Sequence, residues 1–250
     1  MVSEAGILFV TFYFLTKQGW IQNFIMAKIY FPSCKNKIAY PNASKKLQEY
    51  LVRNNRVEKV GGCCRSDHRK LSSEDTAIVI CNTCFAFCEE SSNAGKIISV
   101  WEIIDNDLNF TFSNYNGEKI TVQDCWRAAG RHKVHNAVRS LLRKMNIEPI
   151  ELNKNRNKSL FCGITTLMPQ PVQNTELAPK RYGIDADGFF REYPEEARID
   201  FMKEHVKQFT TDKAASYCVS CDAGIKMGGI KSVSLINLLF NEIPVDKLED

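Results

Sequence analysis

The feature that most constrains this chain is the placement of its cysteines relative to short apolar segments. Residues 60–88 hold five of the ten cysteines in the 250-residue sequence. They include the adjacent pair Cys63 and Cys64, and then a C-x-x-C motif formed by Cys81 and Cys84. Each motif comes at or just after the end of a strand-like segment. The sequence therefore predicts thiols gathered at one edge of a sheet.

From Met26 onward, the segments read as strand, helix, strand, helix, and this order occurs twice. In the first half, KIYFPSC ends at Cys34 and the helical pattern ASKKLQEYLVRN follows. In the second half, KITVQDC ends at Cys125, AVRSLLRKMN supplies a helix, and AASYCVSC ends with Cys218 and Cys221. We expect an α/β fold of two related Rossmann-like halves, arranged as an internal repeat with cysteines at the carboxyl ends of parallel strands.

The repeat predicts the boundaries of these halves. Residues 26–110 form the first half and residues 119–241 the second, joined near the segment NDLNFTFSNYNGE. The second half carries an insertion at residues 164–213, which opens with a proline-containing loop. It closes with a helix that has Pro194 at its start and acidic residues in its first turn.

The first 25 residues contain the apolar run GILFVTFYFL, preceded by MVSEA. This run is too short to span a bilayer, and the leader lacks the basic residues of a signal peptide. A second methionine, Met26, leads directly into the first strand-like segment. We therefore interpret residues 1–25 as an extension or a misassigned start, and expect a cytoplasmic protein with no direct membrane insertion.

Composition excludes several classes of protein. The chain is 44% hydrophobic and 25% charged, which is typical of an ordinary globular protein. Its net charge is +4, and its Lys and Arg residues are dispersed, so we expect no nucleic-acid partner. A disulfide framework is disfavoured, because disulfide-rich chains are usually short and secreted. Adjacent cysteines and C-x-x-C pairs instead indicate metal or redox chemistry.

Two sets of thiols are expected, and they differ in number. Soft thiolate sets select zinc or iron–sulfur clusters, and zinc sites close with four ligands. Five thiols exceed that requirement, so the first set favours an iron–sulfur cluster, whereas the second is ambiguous. The second set is one thiol short, because Phe161 stands where Cys63 stands in the first half. The first set is Cys34, Cys63, Cys64, Cys81 and Cys84; the second is Cys125, Cys162, Cys218 and Cys221.

The pattern C-x(n)-C-C-x(n)-C-x-x-C, present twice in an α/β chain, resembles the cysteine-rich CCG domain. This domain occurs in the cysteine-rich subunit of heterodisulfide reductase and in related iron–sulfur oxidoreductase subunits. The resemblance covers residues 28 to about 240. It implies a noncubane 4Fe-4S cluster on the first five cysteines, and a second cluster or a zinc ion on the other four. It also implies electron transfer to a disulfide or a similar reducible substrate.

The chain departs from the family pattern at two positions. Arg65 replaces the glycine that follows the first cysteine pair, and the second pair has lost its first cysteine. We therefore expect one cluster site or two unlike sites, and we assign no catalytic residue. No G-x-G-x-x-G motif follows a strand, so we expect no bound flavin or nicotinamide. Electrons would come from a flavoprotein or a ferredoxin-like donor subunit.

Two other classes of function stay open. A zinc-binding, non-catalytic interaction protein would keep the thiolate sites without redox activity. A cluster-free thiol–disulfide oxidoreductase would need Cys81 or Cys84 as an exposed thiol of low pKa at the start of a helix.

Several residues have an ordinary structural interpretation. Cys88 is expected to pack as a small apolar side chain. His68 is expected in a solvated loop, and His132, His135 and His205 on the surface. The basic segment that follows Cys125 is interpreted as a solvated helix face rather than as a binding surface for an anionic substrate or an acidic partner.

Overall fold

The computed structural model describes residues 26–242, and the interpretation of residues 1–25 as an extension lies outside them. Two parallel sheets of four strands each make up the framework. The first has the order β2-β1-β3-β4, from β1 (Lys28–Phe31), β2 (Lys59–Val60), β3 (Thr76–Val79) and β4 (Lys96–Ser99). The second has the order β6-β5-β7-β8, from β5 (Glu118–Gln123), β6 (Ile147–Glu151), β7 (Lys213–Ser216) and β8 (Lys231–Ser234).

Ten α-helices connect and cover these strands within the described residues. In the first half they are α1 (Cys34–Ala39), α2 (Pro41–Arg53), α3 (Cys64–Asp67), α4 (Asn82–Ser91) and α5 (Val100–Asp105). In the second half they are α6 (His132–Lys144), α7 (Val172–Leu177), α8 (Glu195–Val206), α9 (Val219–Met227) and α10 (Leu235–Leu239).

The two halves have the same topology, which confirms the predicted pair of related α/β units. In each sheet the first strand in chain order lies between the second and the third, and the fourth lies at an edge. All pairs are parallel, so the carboxyl ends of the strands in each sheet meet at one edge. The third strand of the first sheet, TAIV, is buried along nearly its whole length, as expected for a parallel strand covered on both faces.

The hydrophobic core is shared by both halves. Trp101 and Ile104 on α5 belong to the same buried cluster as Leu141 and Leu142 on α6. Helix α5 packs on α6, and α2 packs on α10. The periodicity of α6 explains this contact, because its apolar residues recur at helical spacing and face the core. The two sheets are therefore fixed to each other through buried helix contacts.

The insertion contains α7, α8 and a short π-helical segment at Pro179–Ile184. Helix α8 follows Pro194, as predicted, and buries Met202 and Val206. Among residues 26–242, none of the helices combines the length and apolar character that a membrane span requires.

Candidate metal centre

Five of the six cysteines of the first half line one cavity of about 380 Å³. We call Cys34, Cys63, Cys64, Cys81 and Cys84 the first thiol group, and the space they line the thiol cavity. They come from the carboxyl ends of three neighbouring strands, β1, β2 and β3. The sulfur atoms of Cys64 and Cys84 lie 2.9 Å apart. The predicted convergence of these residues is thus present in the structure.

The start of helix α1 places Cys34 at the mouth of the first thiol group. Ser33 adopts a left-handed backbone conformation with φ of 61°, and its hydroxyl accepts a hydrogen bond from the Asn36 backbone N–H. This cap turns the chain sharply from β1 into the helix. Cys34 is exposed, whereas Cys84 is buried. The group therefore runs from the protein interior to solvent.

The second thiol group consists of Cys125, Cys162, Cys218 and Cys221. The sulfur atoms of Cys125, Cys218 and Cys221 all lie within 4.8 Å of one another. Cys162 lies 3.8 Å from Cys125, sulfur to sulfur. It does not follow a strand directly, since residues 152–161 separate it from β6. Three members are buried and Cys218 is half-buried.

In both C-x-x-C motifs the first cysteine is the N-cap of a helix. Hydrogen bonds from the Cys84 thiol and from backbone N–H groups lower the pKa of Cys81 to about 6. Hydrogen bonds from Cys125 and Cys221, together with the charge of Arg127, hold the pKa of Cys218 well below its usual value. A helix N-terminus favours thiolate in the same way. Each motif therefore offers one thiolate at the start of its helix.

The two thiol groups meet at the boundary between the halves. Cys218 lines the thiol cavity together with the first thiol group. Cys81 and Cys218 are close enough for their charges to oppose each other, which raises the pKa of Cys81 against the hydrogen bonds that lower it. Sequence comparison of the halves predicted two unlike sets of thiols, but it gave no indication that the two sets lie next to each other.

A buried ion pair fixes the strand end that carries Cys125. Asp124 accepts hydrogen bonds from both terminal nitrogens of Arg139, at 2.6 and 2.5 Å, and from the Tyr217 hydroxyl at 2.8 Å. Arg139 also donates to Glu151 on β6. The sequence carried a weak signal for this network, because Arg139 interrupts the apolar face of α6.

The basic segment after Cys125 is a solvated helix face only in part, because its lysines are exposed, as predicted, but three of its four arginines are not. Arg127, Arg131 and Arg139 are all buried. Arg139 pairs with Asp124, and Arg131 pairs with Glu89. Arg127 donates hydrogen bonds to the hydroxyls of Thr83 and Thr165, one from each half. These arginines are buried because each finds a carboxylate or hydroxyl partner inside the fold.

Two of the four histidines are also buried, contrary to prediction. His68 is 1% exposed, and its Nδ1 lies 2.8 Å from the Cys64 carbonyl oxygen. His135 is fully buried because α6 turns this position toward the core. His205 is half-buried, stacks on Phe161 and contacts Gln123 through Nε2. His132 is exposed, as predicted.

Cys88 packs as predicted. It is buried in a small apolar cluster beside Cys84 and does not line the thiol cavity. Burial raises the pKa of its thiol to about 12, which keeps it in the neutral form. It is therefore a structural cysteine.

The insertion completes the thiol cavity, a role that the sequence did not indicate. The Tyr182 hydroxyl lies 2.8 Å from that of Thr83, and the Ser91 hydroxyl donates to the Leu177 carbonyl. Both contacts hold the insertion against α4, the helix that carries Cys84. Residues at positions 164, 165, 168–171 and 174 thereby form the far wall of the thiol cavity.

The two thiol groups differ in their number of sulfur donors. Five sulfur donors around a cavity are a donor set for an iron–sulfur cluster. In the second thiol group, the sulfurs of Cys125, Cys218 and Cys221 lie within 4.8 Å of one another. A tetrahedral zinc ion with Zn–S bonds of about 2.3 Å places its ligands about 3.8 Å apart, which matches the distance from Cys125 to Cys162. Cys125, Cys218 and Cys221 are therefore close enough together to hold a single metal ion.

Comparisons with known proteins add little to this description. No protein-family model matches the sequence, and no curated protein matches it. Among solved structures, the chain is similar to Picrophilus torridus aspartate racemase, with 13% identity and a TM-score of 0.29. The alignment covers 87% of this chain and 92% of that chain. A likeness of this degree carries no argument about activity, and the fold assignment rests on the strand order given above.

Proposed function

We propose that this chain is an iron–sulfur redox subunit, similar to the CCG-domain subunit of heterodisulfide reductase, that passes electrons to a small disulfide or similar substrate. One observation carries the proposal, namely that all five members of the first thiol group line a single cavity. Its volume of about 380 Å³ is within the range of small-molecule sites, roughly 300–1,000 Å³. The two cysteine patterns that resemble the CCG domain support the same proposal.

Each thiol group has a distinct role in this proposal. The first thiol group would hold a noncubane 4Fe-4S cluster, which supplies one-electron redox chemistry when bound. The second thiol group would hold zinc. The thiol cavity, closed by the insertion, binds and orients the substrate and limits its contact with water. Electrons come from a partner in the cytoplasm, a flavoprotein or a ferredoxin-like subunit.

Substitution of matched cysteines tests the cluster site. In protein purified without oxygen, Cys64→Ser should abolish acid-labile sulfide and most of the iron. Cys88→Ala is the control, because Cys88 lies on the same helix as Cys84 but outside the thiol cavity. It should retain both iron and sulfide. Equal sulfide content in the two variants would refute the proposed ligand set.

A cluster-free thiol–disulfide oxidoreductase is the second candidate, and one observation favours it. Cys81 is half-buried, caps α4 and has a pKa of about 6, which are the properties of an attacking thiolate. The two candidate reactions differ in whether they require Cys34. Cys34 is a cluster ligand in the first candidate, but it lies outside the C-x-x-C motif that the second candidate uses. Loss of disulfide reduction in Cys81→Ser but not in Cys34→Ser would favour the cluster-free reaction. Loss in both would favour the cluster.

A further inference from the structure

The thiol cavity has an asymmetric charge. Three cationic side chains line it, namely Lys35, Arg65 and Arg127. None of the Asp or Glu residues in the described part of the chain does so. Positive charge in a confined site raises the local concentration of anions and strengthens their binding. These cations, opposite in charge to the Cys81 and Cys218 thiolates that line the same cavity, are thus complementary to a negatively charged group.

Arg127 is the most deeply placed of these cations. It is 6% exposed, and its terminal nitrogens donate to the neutral hydroxyls of Thr83 and Thr165, at 3.2 and 3.0 Å. Its Nε has no hydrogen-bond partner within residues 26–242. Burying a cation without an anionic partner is costly. The sulfurs of Cys162 and Cys218 lie close enough to Arg127 to favour its charged form and raise its pKa.

Two further donors complete the anion-binding character of the thiol cavity. Asn82 is 6% exposed, and within the described residues its side-chain NH₂ group has no hydrogen-bond partner. Arg65 is held in place by neutral amides, with bonds to Gln173 at 2.8 Å and to Asn174 at 2.6 Å. No carboxylate therefore neutralises the positive charge of Arg65 in these contacts, and this charge remains available to a ligand beside the insertion.

From these contacts we propose that the thiol cavity recognises a carboxylate or similar oxyanion on its substrate. Arg65, Arg127 and Asn82 bind the anionic group, and the thiols face the sulfur end of the same molecule. The anion site follows from the charges and unpaired donors alone. Its assignment to a disulfide substrate rests on the proposed function.

A pair of ligands of matched size tests this inference. 3,3′-Thiodipropionate carries two carboxylates and has no S–S bond to exchange with protein thiols, and its diamide is the neutral counterpart. Calorimetry on the full chain, purified without oxygen, should show the dicarboxylate binding at least about tenfold more tightly. The difference in affinity between the two ligands should become smaller as the salt concentration is raised, because charges near the surface are screened.

Three variants locate the site. Arg65→Gln should reduce the preference severalfold, and Asn82→Asp should abolish it by placing a carboxylate among the donors. Arg69→Gln is the control, because Arg69 is exposed nearby but does not line the thiol cavity. It should retain the preference. Equal binding of both ligands to the unmodified chain, or an unchanged preference in Asn82→Asp, would overturn the inference.

Iron and sulfide measured on the same samples separate this inference from the proposed function. Iron and sulfide without a preference for the dicarboxylate would leave the redox proposal standing and refute the anion site. A preference for the dicarboxylate without iron would support the anion site and refute the iron–sulfur proposal.

Discussion

Asp124 controls the geometry of the second thiol group, because it lies next to Cys125 and is tied to β6 through Arg139 and Glu151. Burial raises the pKa of its carboxyl, but the guanidinium of Arg139 opposes this and holds the net pKa below its usual value. Asp124→Asn would leave Arg139 buried with one carboxylate instead of two. We expect a loss of about 3 kcal/mol in the free energy of unfolding.

This variant should also lose zinc, because the end of β5 is no longer held. Chemical denaturation and zinc content measure the two effects. Lys119→Gln is a control, since Lys119 forms only an exposed ion pair with Glu148. A stable Asp124→Asn protein with full zinc content would contradict this role of Asp124.

His135 makes the protein sensitive to acid. Burial, opposed by Asp124 and assisted by Arg139, Arg156 and His132, lowers its pKa from 6.5 to about 4. The unfolded chain therefore takes up a proton before the folded protein does. The stability that neutral His135 contributes is fully present above pH 6.5 and is lost as the pH falls from 6.5 toward 4.

Replacement of this histidine should remove part of that sensitivity. In His135→Leu, the loss of stability between pH 7 and pH 5 should be smaller by about 1–2 kcal/mol. His132→Leu, at an exposed position on the same helix, should change it little. Urea denaturation at the two pH values gives the comparison. An identical pH dependence in the unmodified protein and His135→Leu would exclude the effect.

At the residue scale, the sequence predicted the nine cysteines of the two thiol groups but not their polar surroundings. Spacing and position after strands locate thiols well, because the carboxyl ends of parallel strands share one edge. Burial of Arg127 and Arg139 depends instead on partners that are not adjacent in sequence, namely Thr165 for Arg127 and Asp124 for Arg139. The pattern of neighbouring residues in the sequence does not identify those partners.

At the element scale, the close approach of two segments forms the second thiol group. Gly163 follows Cys162 and has φ of 59°, and a Cβ atom there would overlap the backbone carbonyl of Ser220 at the start of α9. Gly224 faces the same contact from within α9. Only glycine lets the segment that carries Cys162 approach the C-x-x-C helix this closely.

Gly163→Ala should therefore separate Cys162 from the other three thiols. We expect about 3 kcal/mol of destabilisation, from overpacking and an unfavourable φ, together with weaker zinc binding. Gly183→Ala is the control, because its Cβ would lie 3.5 Å from the Thr175 methyl group, an ordinary contact. Equal zinc affinities of the two variants in a competition titration would contradict the role of this contact.

Part of the element order could be predicted from sequence. Apolar runs with period-two or period-3.6 patterns indicated the first three strands and α2 in the first half, and β5, β7, α6 and α8 in the second, but not β4, β6 or β8. The sequence did not predict that Cys162 lies at the end of a loop, distant from β6. The position of this loop depends on the contact between Gly163 and α9. The residues adjacent in sequence do not indicate that contact.

At the scale of the whole molecule, the two larger of the three hydrophobic clusters in residues 26–242 draw residues from both halves. One contains Trp101 with Leu141, and the other contains Phe87 with Trp126. The sequence predicted two halves of similar design but not this shared core, nor the contact of the insertion with α4. These depend on packing between segments far apart in the chain.

Unfolding should consequently be one cooperative transition. Two double variants each keep one tryptophan as the fluorescent reporter of one cluster. Trp20→Phe/Trp126→Phe keeps Trp101, and Trp20→Phe/Trp101→Phe keeps Trp126. In each variant, the midpoint of thermal unfolding by fluorescence should coincide with the midpoint by far-UV circular dichroism. Separate midpoints in either variant would show that the halves unfold independently.

The central claim is that the first thiol group holds an iron–sulfur cluster. The most direct test is the content of iron, acid-labile sulfide and zinc, with an EPR spectrum, in the unmodified protein purified without oxygen. We predict about four irons and four sulfides per chain in the first thiol group and about one zinc in the second. Zinc without sulfide, and no EPR signal from a cluster, would contradict the claim and indicate a zinc-binding protein without redox activity.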